Sequence, residues 1–391
     1  MEVLEVFEAG FAADPWPALA ALRAEGDGVH RVRTPDGPPA WLVTRYADVR
    51  AGLANAALST HDHDARGADY RGFVLPRPLT AHLLNAAPEA HARLRSLVTA
   101  ELALRRVEAW QPRLEMLVED VLDAAEAGGK VQVVAALGVP LPARALGDLL
   151  GLAGEDVARL RAWAQGTLVD GGGPARDSIG TMRKVIAEAM ANPPRGGLVA
   201  RLQEYYQRGA LDEDELVSLL FYLWFVWYEV LMDAIAGGLW LLASQPDRCE
   251  WLRAHPHHWG TAVDELLRYL SPQLLAGPRY ARHDLWIGTT RIRAGQTVLL
   301  GLGAANHDPA VFTDPEVVNL TRQPNPHLGL GHGPHTCAGL HIVRRVLSTL
   351  LSRAVARWPG MTPAEPVRAW RSGFRHRGPT EVTLRTGRAA G

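Results

Sequence analysis

The stretch Asn325–Gly339 reads NPHLGLGHGPHTCAG and decides how the rest of the chain is interpreted. It sets one cysteine, Cys337, among four glycines and directly before a segment whose apolar residues have helical spacing. A thiolate at the start of a helix is stabilised by the positive end of the helix dipole and by free backbone N–H groups. Glycines let the backbone come close to a flat ligand. The loop therefore predicts a ligand-binding thiolate at Cys337.

Two simpler interpretations also fit a loop of glycine, histidine and a single cysteine. One is a zinc site built from His327, His332, His335 and Cys337, and the other is a purely structural turn. A zinc site needs a second pair of ligands at defined spacing, and the sequence offers none. Ligation of a haem iron by the thiolate is the preferred hypothesis.

The segment Leu330–Gly339 resembles the cysteine signature of the cytochrome P450 superfamily, F-G-x-G-x-H-x-C-x-G, with Leu330 in place of the leading Phe. The resemblance is to the soluble bacterial members. It implies that Cys337 is the proximal ligand of haem b and that Leu330, Gly331 and Gly339 line the cofactor. The implied fold is mainly α with a small β-rich region, the triangular helical haem domain, spanning residues 1–391 as one domain.

A second motif supports the resemblance further upstream. Glu265-Leu266-Leu267-Arg268 fits the family's E-x-x-R helix, and residues three apart share a helix face, so Glu265 and Arg268 can form a buried charge-assisted pair. In the family a downstream arginine completes this pair, but Val317 occupies its place here. Arg322 and His307 are the two candidate replacements.

The resemblance also supplies partners for the two haem propionates. The segment Ala90–Arg95 (AHARLR) resembles the family's E-H-x-x-L-R and implies that His91 and Arg95 bind one propionate. Arg279, in Gly277-Pro278-Arg279, and His335 in the cysteine loop are implied partners of the other. Guanidinium groups suit carboxylates because they form two parallel hydrogen bonds.

The long central helix departs from the family pattern. The family carries A/G-G-x-D/E-T over the haem, where the small residues open a groove and the acid and alcohol relay protons. That motif aligns with the segment Val226–Val230 (VWYEV), so the acid survives as Glu229 while the groove glycine becomes Trp227 and the alcohol becomes Val230. The implied catalytic positions are Glu229 and Val230, and the implied substrate pocket comprises Trp224, Val226, Trp227 and Leu275.

Two interpretations of this departure remain open at the level of sequence. In the first, a core helix has simply gained apolar bulk. In the second, which we favour, ordinary hydroxylation is lost or modified, because Val230 offers no hydrogen-bond donor and Trp227 fills the groove. Glu229 is then the candidate proton-relay acid.

Composition excludes several classes of function. Lys plus Arg number 41 against 42 Asp plus Glu, which leaves no overall basic footprint for nucleic acid or an anionic membrane. Two cysteines, Cys249 and Cys337, cannot build a disulfide framework, so a reducing compartment is expected. The first residues, MEVLEVFEAGF, carry acids where a signal peptide carries basic residues. We therefore expect a cytoplasmic protein.

The periodicity predicts a mostly helical chain. A hairpin is expected from two short apolar pieces, Val29–Val32 and Trp41–Thr44. The apolar run Leu216–Ala243 is long enough to span a bilayer, but its two acids and the absence of basic flanks favour a soluble core helix. The other predicted helices are Pro88–Ala127, Ala143–Leu150, Glu155–Thr167, Ser178–Met190, Thr261–Leu270 and Ala338–Arg357, with Asp212–Ser244 as the capped central helix. Further strands are predicted at Leu285–Ile287, Thr297–Gly301 and Thr380–Leu384.

The expected function is oxidative tailoring, by hydroxylation or by oxidative coupling and ring formation, in a bacterial specialised-metabolite pathway. Electrons would come from a separate ferredoxin and ferredoxin reductase, since no flavin domain fits beside the haem domain. Arg105, Arg106, Arg344 and Arg345 are the candidate docking residues. The helix aromatics suggest an aromatic or peptide-like small-molecule substrate. The alternatives are a peroxide-driven or non-oxygenating haem enzyme, and a non-catalytic haem-binding protein.

Overall fold

The structure, a computed structural model, describes residues 3–8, 10–72, 79, 81–125, 128–169, 175–192, 196–371 and 374–387, without the side chains of residues 169, 175–179, 181, 225 and 226. These ranges contain thirteen α-helices: α1 Trp16–Ala24, α2 Tyr46–Ala54, α3 Pro88–Glu101, α4 Leu104–Ala125, α5 Pro140–Leu150, α6 Gly154–Ala164, α7 Ala175–Ala191, α8 Gly197–Gln207, α9 Glu213–Ala243, α10 Pro246–Ala254, α11 Trp259–Leu270, α12 Leu302–Asn306 and α13 Leu340–Arg357. The same ranges contain eleven short strands: β1 Leu4–Glu5, β2 Val29–Arg33, β3 Pro39–Val43, β4 Leu58–Ser59, β5 Lys130–Gln132, β6 Arg279–Ala281, β7 Leu285–Ile287, β8 Thr290–Ile292, β9 Thr297–Leu300, β10 Thr362–Pro363 and β11 Thr383–Arg385. The predicted mainly helical architecture is confirmed.

The largest sheet joins strands from residues 4–59 to strands from residues 279–300 and fixes one candidate site residue. Its six strands lie in the order β1-β2-β3-β9-β6-β4. Strands β2 and β3 form the predicted antiparallel hairpin, with Val29 opposite Val43. Strand β3 then pairs in parallel with β9, and β9 pairs antiparallel with β6, where Arg279 lies opposite Val298. Arg279 is therefore held on a sheet strand and not on a loop.

The central helix α9 begins at the predicted cap. The Glu215 N–H donates to Asp212 Oδ1 at 2.8 Å, and the Asp212 N–H donates to Glu215 Oε2 at 3.1 Å, which completes a capping box. By length and apolar composition this helix would cross a bilayer, yet 88% of its most apolar window is buried inside the molecule. Helix α9 therefore has the burial of a core helix in a soluble protein.

One predicted helix is two separate helices in the structure, α3 and α4. The segment predicted as a single helix from Pro88 to Ala127 breaks after Glu101, because the N–H groups of Arg106 and Val107 bond to Ala103 O and start α4 afresh. No glycine or proline marks this break, so the sequence pattern gives no sign of it. The predicted loops Asp170–Pro174 and Asn192–Gly197 lie wholly or partly outside the described residues.

Candidate functional site

The cysteine loop folds back on itself before α13 begins. The Cys337 N–H donates to Leu330 O at 2.8 Å, and the Gly331 N–H donates to Leu328 O at 2.8 Å. Gly331 (φ +74°) and Gly333 (φ +71°) both lie in the left-handed region that favours glycine. A β-carbon at Gly333 would also lie 3.2 Å from Ala54 Cα on α2. These two glycines are therefore needed for the loop to present Cys337.

The two cysteines differ in their surroundings. Cys337 is enclosed deeply enough that burial raises the pKa of its thiol, while a hydrogen bond from the Gly339 backbone lowers that pKa. Cys337 nevertheless keeps intermediate exposure, whereas Cys249 is buried and its thiol bonds to Leu242 O at 3.2 Å. The structure thus distinguishes the two cysteines, although Cys249 is buried where the sequence suggests a half-exposed residue.

Trp227 lies against the start of α13. A β-carbon at Gly339 would collide with the Trp227 indole, which is buried. Gly339 follows Cys337 by two residues, so the indole on α9 reaches the edge of the cysteine loop. Only glycine at position 339 leaves room for this indole, which packs where α9 crosses α13.

Five basic side chains gather beside the loop. The rings of His91 and His335 are 4.2 Å apart, and a β-carbon at Gly277 would lie 3.8 Å from both Arg279 Nη1 and Arg375 Nη2. Arg95, on α3 with His91, is close enough to lower the pKa of both histidines. Burial, together with Arg279, His91 and Arg95, lowers the pKa of His335 to about 3. Burial and Arg375 lower the pKa of Arg279 to about 10.

This cluster lacks an anion. No Asp or Glu among the described residues forms an ion pair with Arg95, Arg279 or Arg375, and Arg279 Nη1 bonds to Gly277 O at 2.9 Å. His91 Nε2 is buried without a hydrogen-bond partner in the described part of the chain. Buried cations are costly unless an opposite charge or hydrogen-bond acceptor accompanies them. The cluster therefore calls for an acidic ligand.

The predicted E-x-x-R pair forms, and the structure identifies its third member. Arg268 Nε and Nη2 each donate to Glu265 at 2.8 Å, and both side chains are fully buried. Arg322 Nε donates to the same carboxylate at 3.0 Å. His307, the other candidate replacement, instead lies 3.0 Å from Glu316 and stacks on Trp16. Arg322 is therefore the residue that completes the pair.

Glu229 on the central helix is already paired. Its Oε1 accepts from Arg371 Nη1 at 3.1 Å, and its Oε2 lies 3.1 Å from His376 Nδ1. Arg371 also bonds to Asp233, one turn further along α9. Burial alone would raise the pKa of Glu229, but His376 and Arg371 hold it at about 2. The carboxylate is therefore ionised and fixed against the segment between Trp370 and Pro379.

The predicted pocket residues lie in two parts of the core. Trp224 and Trp227 on α9 are both buried in the main core. The Val226 side chain lies outside the described residues. Leu275 is buried in a second core cluster, and its N–H bonds to Arg375 O at 3.3 Å.

The sequence pattern does not reveal the contribution of the C-terminal segment. Arg371, Arg375 and His376 belong to the run WRSGFRHRGP, residues 370–379, and lie against α9, Arg279 and the Glu229 carboxylate. The signal that could have indicated this segment is its run of basic residues with no acidic residue among them. The partners of those bases are more than 90 positions away, so local pattern could not pair them.

Haem fits the residues of this site. A haem requires a thiolate for its iron and basic groups for its two carboxylates. Cys337 supplies the first, and His91, Arg95, Arg279, His335 and Arg375 form a base cluster without an internal anion. The orphaned His91 Nε2 would gain an acceptor from a propionate.

Comparison with known proteins agrees with this site. Residues 260–359 match the family model described as cytochrome P450. The chain is 34% identical to nocardicin C N-oxygenase of Nocardia uniformis subsp. tsuyamanensis, covering 95% of this chain and 96% of that protein. It is 34% identical to mycinamicin IV hydroxylase/epoxidase of Micromonospora griseorubida, covering 92% of this chain and 93% of that protein. The tirandamycin C-bound structure of the P450 monooxygenase TamI superposes with a TM-score of 0.88 at 30% identity, covering 97% and 99%. With fold, loop and relatives in agreement, this chain belongs to the cytochrome P450 family and is a haem b monooxygenase of its bacterial class.

Proposed function

We propose that this monooxygenase carries out an oxidative tailoring step on a small molecule of bacterial specialised metabolism, as one cytoplasmic haem domain over residues 1–391. The reaction is hydroxylation or oxidative coupling with ring formation. Its relatives include an N-oxygenase and a hydroxylase/epoxidase, so the family resemblance is compatible with more than one oxidative outcome. When bound, haem supplies the activation of oxygen.

The observation that carries the proposal is the buried cluster of bases, without an internal anion among the described residues, beside the loop of Cys337. Cys337 is the iron ligand in this proposal, and its loop is fixed by the bonds from the Cys337 N–H to Leu330 O and from the Gly331 N–H to Leu328 O. Leu330, Gly331 and Gly339 border the ring. Leu330 stands where the family has a phenylalanine, so one side of the sulfur is bordered by an aliphatic side chain.

The basic cluster holds the propionates in this proposal. His91 and Arg95 bind one carboxylate, while Arg279 and His335 bind the other, with Arg375 as an additional cation beside Arg279. A propionate near His91 and His335 would reverse the local electrostatics, because a negative charge raises the pKa of an imidazole that other cations depress. Arg279 would exchange contacts with carbonyl groups for a charge-assisted pair.

The substrate is an aromatic or peptide-like molecule in our proposal. Support comes from the aromatic side chains of α9 and from the bulk of Trp227 at the edge of the cysteine loop. Val230, which is half-buried, carries only methyl groups. Glu229 remains the acid of the central helix, and any proton that it accepts or passes on has to move through His376 Nδ1 or a polar group of the substrate.

Electrons come from a separate redox partner, which we propose to be an acidic ferredoxin supplied by a reductase. Four arginines support a docking face on the cysteine side. Arg344 is paired with Asp264 at 2.7 Å and Arg106 with Glu101 at 3.4 Å. Arg105 and Arg345 form no ion pair with any described residue, so their charges are the ones most available to a partner.

A pair of cysteine variants tests the haem ligand. In the reduced carbon monoxide complex, Cys249→Ser should keep the absorbance band typical of thiolate ligation, because Cys249 bonds to Leu242 O and faces the core. Cys337→Ser should lose that band. The reverse pattern would reject Cys337 as the ligand.

One observation supports a second candidate, a peroxide-driven reaction, as the alternative to the ferredoxin-dependent one. Val230 cannot donate a hydrogen bond, so oxygen activation by way of the family's acid–alcohol pair is not available at that position. Three parallel reactions separate the candidates: substrate with ferredoxin, reductase and a nicotinamide donor, substrate with hydrogen peroxide alone, and substrate with neither. Product in the first assigns a ferredoxin-dependent monooxygenase, and product only in the second assigns a peroxide-driven enzyme. A haem-binding protein without turnover would give product in none of the three reactions.

A further inference from the structure

His307 is a buried histidine whose two ring nitrogens both meet hydrogen-bond acceptors. It follows α12 directly and is 2% exposed. Its Nδ1 lies 3.0 Å from Glu316 Oε2, and its Nε2 lies 3.0 Å from the backbone oxygen of Tyr269 on α11. A neutral imidazole has one donor nitrogen and one acceptor nitrogen, so it can satisfy only one of these two oxygens.

Neither partner can supply the missing proton. A backbone carbonyl only accepts hydrogen bonds. The Glu316 carboxyl is ionised at neutral pH, because the hydrogen bond from His307 lowers the pKa of Glu316 below its ordinary value of 4.5. A neutral ring would therefore hold the lone pair of one nitrogen against an oxygen at 3.0 Å. The geometry matches an imidazolium, in which both nitrogens donate.

The aromatic neighbours also suit a positive charge on this ring. The Trp16 indole of α1 stacks on the His307 ring with centroids 3.9 Å apart and planes 19° apart, and an aromatic face attracts a cation. The Tyr269 ring lies 5.6 Å away. Arg377 lies 5.2 Å from the same Trp16 ring, so it is one of the cations that oppose the charge.

Two further cations near the ring already have acidic partners. Arg23 on α1 and Arg268 on α11 are close enough to act on the Glu316 carboxylate. Arg23 Nε lies 3.9 Å from Asp308, and Arg268 forms its buried pair with Glu265. Their charges are thus largely balanced, whereas Glu316 has the imidazole as its direct partner.

The contact with Glu316 holds the segment that positions Arg322. Two backbone oxygens of residues 313–317 accept from Arg322, at 2.9 and 3.2 Å, so this segment is the cradle of that guanidinium group. Within it Asp314 has a φ of +48°, a conformation that persists only where surrounding contacts hold it. Loss of the contact would therefore loosen the cradle of the residue that completes the Glu265 pair.

We propose that His307 is a pH-sensitive cross-link, an imidazolium that ties the end of α12 to α11 and to residues 313–317 and that releases those residues when it loses a proton. Both hydrogen bonds can exist together only while the ring carries two protons. The contribution of the link is therefore lost as the pH rises through the range in which imidazoles titrate, about 5 to 8. This link does not depend on the reaction proposed above.

Hydrogen exchange of the haem-loaded enzyme at about pH 6 and about pH 8.5, on either side of most of this titration, tests the link. Protection factors, which remove the intrinsic pH dependence of exchange, are compared for residues 313–322. There the Val317 N–H bonds to Asp314 O and the Asn319 N–H bonds to Glu265. Protection should fall by about tenfold at the higher pH, the lower end of what one hydrogen bond to a charged group contributes.

Two variants at position 307 have opposite expectations. His307→Gln is neutral at both pH values, so residues 313–322 should have low protection at both. His307→Arg carries a permanent positive charge, so their protection should be higher than in His307→Gln and should not change with pH.

Glu316→Gln tests the same link from the exposed partner, whose substitution is compatible with folding even where a larger side chain at position 307 is not. It should abolish the pH dependence. The matched control is His283→Gln, because His283 is an exposed histidine whose Nδ1 lies 3.0 Å from the Asp284 backbone oxygen. This control should keep the pH dependence of the parent.

Three results would overturn the assignment of His307. In the first, the parent has the same protection of residues 313–322 at both pH values. In the second, Glu316→Gln loses protection with rising pH as the parent does. In the third, the hairpin of β2 and β3 loses protection together with residues 313–322, which would mean that pH acts on the whole fold.

Discussion

At the scale of single residues, Glu265 shows how much one buried carboxylate can organise. It accepts from Arg268, from Arg322, from Asn325 Nδ2 at 3.1 Å and from the Asn319 N–H at 2.8 Å. The carboxylate is completely buried, and its charge is balanced by two guanidinium groups. Through these bonds α11 is tied to the chain that leads into the cysteine loop.

We predict that Arg322→Ala destabilises the protein by about 3 kcal/mol, because removing one partner of a buried ion pair leaves charge uncompensated. Denaturant unfolding of the haem-loaded enzyme measures the effect. The stability of Arg322→Lys should lie between that of the parent and that of Arg322→Ala. An ammonium group keeps the positive charge but not the two-pronged geometry of the guanidinium group.

Arg208→Ala is the surface control for this prediction. Arg208 forms an exposed pair with Glu204 at 3.6 Å, and such pairs contribute little. Equal stability of Arg322→Ala and Arg208→Ala would mean that Arg268 alone balances Glu265.

At the scale of elements, the contact between α9 and the C-terminal segment is electrostatic. Glu229 and Asp233, one turn apart on α9, both meet Arg371, and Glu229 also meets His376. A β-carbon at Gly378 would collide with Asp233, so the segment lies directly on the helix. The charges of the central helix are thus used to hold a segment that begins 138 positions after Asp233.

This contact predicts a pH dependence of stability. The pKa of Glu229 is depressed from 4.5 to about 2 in the folded protein. Its contribution is therefore fully present above pH 4.5 and is lost as the pH falls towards 2. Glu229→Gln should remove this contribution and flatten the stability profile between about pH 5 and about pH 2, the range that spans both values. Thermal unfolding at several pH values provides the measurement, with Glu204→Gln as an exposed control. A profile for Glu229→Gln as steep as that of the parent would contradict the assignment.

The central helix carries a second prediction, at Val230. Val230→Thr restores a hydroxyl at the position of the family's alcohol. For a substrate without a hydroxyl near the iron, we expect a larger fraction of the electrons to end in product. Simultaneous measurement of nicotinamide consumption and product gives this fraction. Val217→Thr, on the same helix outside the aligned motif, should have no effect. Unchanged coupling in Val230→Thr, with a parent already tightly coupled on such a substrate, would favour simple core packing at this position.

At the scale of the whole molecule, the near-neutral net charge of −1 conceals local basic surface. We predict that charge reversal at Arg106 and Arg345 slows reduction by an acidic ferredoxin and weakens the dependence of that rate on salt, because steering falls with charge complementarity. Stopped-flow reduction at several ionic strengths measures both effects.

Arg33→Glu, an exposed change on strand β2, is the control for overall charge. If the Arg106 and Arg345 variants are reduced as fast as this control at low salt, the docking face lies elsewhere.

Local sequence determined a large part of this molecule. The positions of Gly331 and Gly333, the cap at Asp212 and the spacing of Glu265 and Arg268 act over a few residues, so each could be predicted from the chain alone. The same holds for the hairpin of β2 and β3 and for the apolar length of α9. These features, with the cysteine signature, were enough to predict the fold, which the comparisons confirm.

Only the tertiary structure decided which distant side chains meet. Arg322 joins Glu265 across 57 positions, and Arg371 joins Glu229 across 142. His82 meets Tyr222 across 140 positions. No periodicity relates residues so far apart, because their encounter depends on how the helices pack and on where each loop crosses them. The sequence therefore determined the cysteine loop and the elements around it, whereas packing decided which charges meet at Glu265 and Glu229.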